Sequence, residues 1–197
     1  MNAAAQNHRH SWPCRVVDHD DAADRAAVRQ INLQAFESTA EADLVEDLRA
    51  DAQAWLPQFS MVSMTAAIPG TDLYSDPVAY GLLVRARIGD TDTLALAPHG
   101  VLPEHQGQGA GTAVVEALLA AAREAGEKHV VVYGFPEFYP RFGFGPASEY
   151  GVHAEFATRE EALQILVLEE GAQVPSGEFV YPPAFGAENA NAGATQG

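Results

Sequence analysis

A glycine-rich stretch, residues 106–112 with the sequence QGQGAGT, could bind an anion. Glycines tolerate positive φ and allow a ligand to come close to the backbone. A long apolar-periodic helix follows directly, so the free N–H groups and the positive dipole end of its first turn lie beside the glycines. This arrangement is typical of a phosphate site. A glycine-rich connection without a ligand is the alternative interpretation.

The stretch does not fit two common phosphate-binding signatures. A dinucleotide fingerprint needs a glycine where Thr112 stands, and a Walker A loop needs a lysine that is absent here. The stretch does match the pattern Q/R-x-x-G-x-G/A through Gln106, Gly109 and Gly111.

A second motif begins at Tyr139, where YPRFGF matches the pattern Y-x-x-x-G-F. Both motifs, in this order and with the strand-like run 129–133 between them, resemble the GNAT superfamily of N-acetyltransferases. The longer strings VVVYGFPEFYPRFGFGPAS and YPPAF resemble its YhbS-like branch, over roughly residues 15–185. The resemblance implies the α/β (α+β) GNAT fold, a mixed, mostly antiparallel twisted sheet with helices on both faces.

The resemblance also implies acetyl-CoA as co-substrate, with its phosphates held by the backbone N–H groups of the glycine-rich loop. The Thr112 hydroxyl could assist, and Arg141, Arg123 and Lys128 are candidate partners for the adenosine 3′-phosphate. The cofactor-binding positions predicted in this way are Gly100, Val101, Gln106, Gly107, Gln108, Gly109, Ala110, Gly111, Thr112, Tyr139 and Arg141.

Acetyl transfer from a thioester to an amine needs a neutral amine, a stabilised oxyanion and a proton for the leaving thiolate. Tyr139 matches the general acid of the family, and a phenol with a pKa near 10 suits a thiolate of similar basicity. The backbone N–H of Val101 is the predicted oxyanion donor. His99 is the predicted base because its ordinary pKa lies near neutrality. The alternatives to His99 are a relay through water to bulk solvent and three carboxylates, namely Glu37, Glu41 and Glu137.

Composition narrows the classes of partner. The chain of 197 residues fits one domain, and a net charge of −16 argues against nucleic acid and favours a cationic small-molecule or peptide amine.

Neither a membrane-spanning run nor a secretory signal is apparent, so the expected location is the cytoplasm. His8 and His10 lack a carboxylate framework, and we expect no metal site. The single Cys14 precedes the first predicted strand, so a covalent enzyme intermediate is not expected.

Hydrophobic periodicity and turn residues divide the chain into elements. Pro98 cannot donate a ladder hydrogen bond, so pairing should break there, and Gly81 is the expected bulge. We expect a disordered leader over 1–14, the domain over 15–186 and a disordered tail over 187–197. The predicted helices cover 22–36, 40–50, 112–125 and, as a short aromatic helix, 136–142. The predicted strands cover 15–17, 59–67, 77–88, 91–102, 129–133, 150–156 and 163–169.

The predicted function is transfer of an acetyl group from acetyl-CoA to a primary amine by direct attack in a ternary complex. Two alternatives stay open: a CoA-binding sensor without turnover, and an acyltransferase for a longer acyl-CoA. The final strands and the YPPAF segment could pack against a second subunit, so a homodimer is also open.

Overall fold

A computed structural model of the chain describes residues 12–65 and 76–186. The helices are α1 (Ala22–Ala35), α2 (Ala40–Ala50) and α3 (Ala110–Glu124). The strands are β1 (Cys14–Val16), β2 (Ser60–Met64), β3 (Pro77–Ile88), β4 (Thr91–Val101), β5 (His129–Tyr133), β6 (Gly145–Pro146), β7 (Val152–His153), β8 (Leu163–Val167) and β9 (Gly177–Val180).

The sheet is mixed and mostly antiparallel, as predicted. Its strand order is β1-β2-β3-β4-β5-β8-β6, and β4 and β5 form the parallel pair of this series. Strand β9 pairs with the end of β3 and, in parallel, with β7. Helix α3 connects the parallel strands β4 and β5 as a crossover.

Each face of the sheet is covered by helices because side chains alternate along the central strands. Leu82 and Val84 of β3 belong to the core beneath α1 and α2. Leu83 points the other way and packs with Val114 and Leu118 of α3. The helix α1 is capped by Asp21, whose side chain accepts a hydrogen bond from the Ala23 N–H at 3.0 Å.

Strand pairing breaks where the sequence predicts it. The register of β3 against β4 shifts so that Ala97 and Pro98 lie opposite the single residue Leu82, which is a bulge on β4. On its other edge, β4 pairs with β5 only through Leu94 and Ala95. Beyond these pairs the two parallel strands separate, and a cleft opens between their carboxyl ends.

The predicted bulge at Gly81 is wrong, because the extra residue lies on the partner strand. A Cβ at Gly81 would stand 2.8 Å from the Leu118 Cδ1 atom of α3. Close approach of α3 to the sheet therefore explains this glycine.

The carboxyl-terminal third departs most from the predicted elements. The predicted strand over 150–156 shortens to β7, and the pairing of Gly177–Val180 as β9 was not predicted. The predicted aromatic helix shortens to one 3-10 turn, Tyr139–Phe142. These short elements carry too few residues for a reliable periodic pattern.

Structured residues begin before the predicted domain boundary at Arg15. The Trp12 indole Nε1 donates to the Gln108 carbonyl at 2.9 Å, which ties the start of the chain to the glycine-rich loop. The remainder of the predicted leader and the predicted tail lie outside the described residues. Within 12–65 and 76–186, no helix has the length and apolarity needed to cross a membrane.

Candidate active site

The glycine-rich loop leads directly into α3, whose first turn begins at Ala110, two residues earlier than predicted. Gly107 and Gly109 adopt φ of 70° and 101°, the left-handed region that favours glycine. The first intrahelical bond runs from the Ala113 N–H to the Gly109 carbonyl, so the N–H groups of the preceding turn have no helical acceptor. This loop therefore offers backbone donors to an anion.

Gly111 has a different role from the other two loop glycines. It lies inside α3 and is buried, and a Cβ added there would stand 2.8 Å from Val101 Cγ2 and 3.0 Å from His99 Nε2. The glycine thus allows the first turn of α3 to contact the end of β4. The phosphate loop and the strand break are held together by this contact.

A cavity of about 490 Å³ opens at the separated ends of β4 and β5. It brings together six of the predicted site residues, while the loop residues from Gly107 to Thr112 lie beside it. The predicted residues in its wall are His99, Gly100, Val101, Gln106, Tyr139 and Arg141. The wall also contains Ala35, Phe36, Ala40, Glu41, Leu44, Leu96, Ala97, Pro98, Tyr133, Phe135, Glu137, Phe138, Tyr181 and Phe185.

The backbone of Val101 faces this cavity. The Leu102 N–H donates to the Val78 carbonyl at 2.9 Å, so the alternation of an antiparallel ladder turns the polar groups of Val101 away from β3. The Gln106 side chain donates to the Val101 carbonyl at 3.2 Å. The N–H of Val101 is thereby oriented toward the cleft between β4 and β5.

Tyr139 lies on the opposite wall of the cleft and is 6% exposed. Its ring fits against Gly134, where a Cβ would stand 2.7 Å from Tyr139 Cε2. No group in the described parts of the chain hydrogen-bonds its hydroxyl, and burial raises the pKa of this phenol. The hydroxyl therefore keeps its proton at neutral pH and can donate it to a group in the cavity.

His99 packs between the phosphate loop and the aromatic segment. Its Nε2 lies 3.2 Å from the Gly111 carbonyl, and its ring stacks on Phe138 with centroids 5.6 Å apart. Because a carbonyl only accepts, this contact places a proton on Nε2 and the lone pair on Nδ1. Burial lowers the pKa of His99 to about 4, so the ring is neutral at neutral pH. A neutral ring that points toward α3 has no charge with which to attract an ammonium group.

This lowered pKa has a measurable effect on stability. Below pH 6.5 an unfolded chain protonates His99 while the folded chain does not until about pH 4, so stability falls as the pH drops. Between pH 7 and pH 5 the loss is at most about 2 kcal/mol, since the ring is partly exposed to the cavity. Thermal unfolding of the parent and of His99→Gln at both pH values should show a smaller pH effect in the variant. Equal pH effects would rule out this contribution.

Glu41 is the buried carboxylate of the cavity, at 6% exposure. Thr39 is the N-cap of α2, and Glu41 lies in the first turn of that helix. The Ser38 hydroxyl donates to Glu41 Oε2 at 3.1 Å. Among the alternatives to His99, Glu37 is exposed and outside the wall, Glu137 is in the wall but exposed, and Glu41 is both in the wall and buried.

The YPPAF segment lines this cavity, a role that sequence reasoning missed. Phe185 stacks on Tyr181 with centroids 4.0 Å apart. Burial, with a further contribution from nearby Tyr139, raises the pKa of the Tyr181 phenol. The resemblance of this string to the YhbS-like branch was the available signal, but nothing local indicated where the chain would place it.

The predicted cationic partners of the cofactor are separated by the fold. Arg141 lies in the cavity wall, with its guanidinium carbon 4.6 Å from the Phe138 ring centroid. Arg123 lies in the last turn of α3, roughly 20 Å from the loop at 1.5 Å per residue. Lys128 pairs with Glu169 beyond that end. Both Arg123 and Lys128 are therefore too far from the loop, and their assignment was wrong.

Among the described residues, no three His, Cys, Asp or Glu side chains come together at a point where they could bind a metal ion. The histidine pair His8 and His10 lies outside the described residues.

Comparison with known proteins agrees with these features. A model described as the acetyltransferase (GNAT) family matches residues 25–144. The uncharacterized N-acetyltransferase YjhQ of Escherichia coli K12 is 32% identical over 157 residues, which cover 77% of this chain and 80% of YjhQ. The crystal structure of E. coli YhbS in complex with CoA superposes with a TM-score of 0.77 at 26% identity and covers 94% of both chains. A Brucella melitensis GNAT acetyltransferase in complex with acetyl-CoA gives 0.67 at 26% identity, over 89% of this chain and 99% of that one. The chain belongs to the GNAT family of acetyltransferases.

Proposed function

We propose that this protein transfers the acetyl group of acetyl-CoA to a primary amine by direct attack in a ternary complex. The observation that carries the proposal is the cavity itself. The broken pairing of β4, the protonated hydroxyl of Tyr139 and the buried carboxylate of Glu41 converge on it. The relatives that were crystallised with CoA and acetyl-CoA support the choice of acyl donor.

The residues of the loop fit an anionic co-substrate despite the strongly acidic chain. No atom lies within 4 Å of a Cβ built at Gly107, so a phosphate could approach the backbone there. In the proposal, the N–H groups from Gly107 to Thr112 bind the pyrophosphate, aided by the dipole of α3, while the Gln106 N–H already donates to the Pro103 carbonyl at 3.3 Å. Arg141 is the proposed cationic contact, and Gly100 and Val101 supply backbone groups to the pantetheine arm.

The proposed chemistry assigns one task to each polar group. Glu41 binds the ammonium and accepts one proton, which leaves a neutral amine. The amine nitrogen forms a bond to the thioester carbon, and the Val101 N–H stabilises the oxyanion. As the C–S bond breaks, Tyr139 donates its proton to sulfur, and its phenolate recovers a proton from the acylated nitrogen. The proton on Glu41 then returns to solvent.

Direct attack is favoured over an acetylated enzyme. Cys14 lies in β1, which β2 and β3 separate from β4. Burial, with a smaller contribution from Glu116, raises the pKa of this thiol to about 11. The thiolate that an acetyl-cysteine intermediate would need is therefore scarce at neutral pH.

Thermal unfolding with acetyl-CoA, CoA or NADH, followed by amine-dependent thiol release, tests the proposal. A ligand at a hundredfold excess over its Kd should stabilise the fold by about 2.7 kcal/mol. We expect acetyl-CoA and CoA, but not NADH, to raise the midpoint, and thiol release to require an amine. Binding without turnover for any amine would favour the sensor alternative. Stronger stabilisation by a longer acyl-CoA than by acetyl-CoA would favour the alternative of an acyltransferase for longer acyl groups, in which Phe135 borders the acyl group.

A further inference from the structure

The charged side chains of the cavity wall differ in sign and in burial. Arg141 is the one arginine or lysine among the described residues of the wall, and it lies on Phe138. Two carboxylates also line the wall: Glu137 is exposed, whereas Glu41 is buried at the start of α2. Arg141 is thus suited to an anion, and Glu41 is the buried carboxylate suited to a cation.

Glu41 lacks a cationic partner in the described parts of the chain. Its one protein hydrogen bond there is the contact from Ser38. A carboxylate that is 6% exposed and faces apolar side chains is costly unless a cation or donors compensate it. An ammonium group in the cavity would supply that compensation.

The surroundings of Glu41 are apolar and largely aromatic. Phe36 comes from the residue after α1, Ala40 and Leu44 come from α2, and Tyr181 and Phe185 come from the carboxyl-terminal segment. The Tyr181 ring stacks on that of Phe185, so this wall offers a pair of aromatic rings. Such walls favour an apolar body on the amine, and an aromatic face also attracts a cation.

A carboxylate next to the amine would be unfavourable beside Glu41. The one arginine or lysine of the described wall is Arg141, which lies on Phe138 and is assigned to the co-substrate, so the carboxylate of a free amino acid would be desolvated against the like charge of Glu41.

From these observations we infer the class of acceptor: a primary amine with an apolar, aromatic-sized body and no carboxylate beside the amine, whose ammonium is bound by Glu41. This inference rests on the proposed acetyltransferase activity and restricts its acceptor.

A matched series of amines tests the acceptor class. 2-Phenylethylamine, phenylalaninamide and phenylalanine share one body and differ in the group beside the amine, while ethanolamine keeps the amine and loses the body. We expect kcat/KM to fall along that series, with phenylalanine and ethanolamine each at least roughly tenfold below 2-phenylethylamine. Equal use of phenylalanine and 2-phenylethylamine would overturn the inference, yet leave the acetyltransferase proposal standing.

Glu41→Gln tests the carboxylate itself. We expect KM for 2-phenylethylamine to rise roughly 10- to 100-fold, because a charge-assisted contact is lost, while the stabilisation by acetyl-CoA is unchanged. Asp47→Asn is the matched control, since this carboxylate is exposed on the same helix. An unchanged KM in Glu41→Gln would overturn the role of Glu41.

Amine binding can be measured without turnover. With CoA present, 2-phenylethylamine should raise the unfolding midpoint of the parent and not that of Glu41→Gln. This shift without any acetylation would support the acceptor site and refute the transferase proposal. No shift and no acetylation, with CoA binding intact, would overturn both.

Discussion

Replacing Tyr139 with phenylalanine should lower kcat by roughly 10²- to 10⁴-fold, the range that general acid catalysis contributes. The phenol is buried and fully protonated, its hydroxyl opens on the cavity, and its ring position is fixed against Gly134. Phenylalanine keeps the ring and its packing, so KM for acetyl-CoA and the unfolding midpoint should stay near the parent values. Steady-state thiol release with a saturating amine measures the effect.

The raised pKa of Tyr139 adds a second expectation for the parent enzyme. The acid form persists above the usual pKa of tyrosine, so activity should not decline through ionisation of this phenol up to pH 10. Tyr150→Phe is the matched control, because Tyr150 is 42% exposed and outside the cavity wall. Full activity of Tyr139→Phe would remove the tyrosine from the mechanism and leave thiolate protonation to solvent.

Replacing Gly111 with alanine should destabilise the protein, although the same change within an ordinary helix stabilises it by about 1 kcal/mol. The new methyl group would meet Val101 Cγ2 and the His99 ring. Overpacking of this kind costs about 1–3 kcal/mol, which corresponds to a midpoint lowered by a few degrees. Displacement of β4 would also move the Val101 N–H, so kcat should fall together with the affinity for acetyl-CoA.

A second substitution distinguishes this clash from a general loss of stability. Val101→Ala in the Gly111→Ala background removes the closest atom and should recover part of the lost midpoint. Val101→Ala alone should not stabilise the parent, since it only removes packing there. If the double variant is no more stable than Gly111→Ala, the contact between α3 and β4 does not explain the glycine.

Local sequence patterns were sufficient for the central part of the molecule. The predicted bounds of β3 and β5 agree with the structure, and α3 differs by two residues at its start and one at its end. These elements are long or strongly apolar, and the backbone restriction of Pro98 is local. Tyr139 and Val101, which were both predicted as site residues, line the same cavity.

Contacts between residues that are distant in sequence could not be predicted from local patterns. The residues that surround His99 in space cannot be read from the residues next to it in sequence. The same is true of the burial that lowers its pKa. The same holds for Glu41, whose burial depends on the carboxyl-terminal segment closing over α2. Gly81 and Gly111 seemed to be backbone features, but both serve side-chain packing against another element.

The carboxyl-terminal wall of the cavity comes from a part of the chain that is separate from the proposed phosphate site. The loop, the broken strand and Tyr139 all lie before residue 145, whereas Tyr181 and Phe185 join the cavity from a later segment. Substitutions in that late segment could change the shape offered to an acceptor while the donor's phosphate contacts stay as they are. The fold thus allows selectivity for one substrate to diverge independently of affinity for the other.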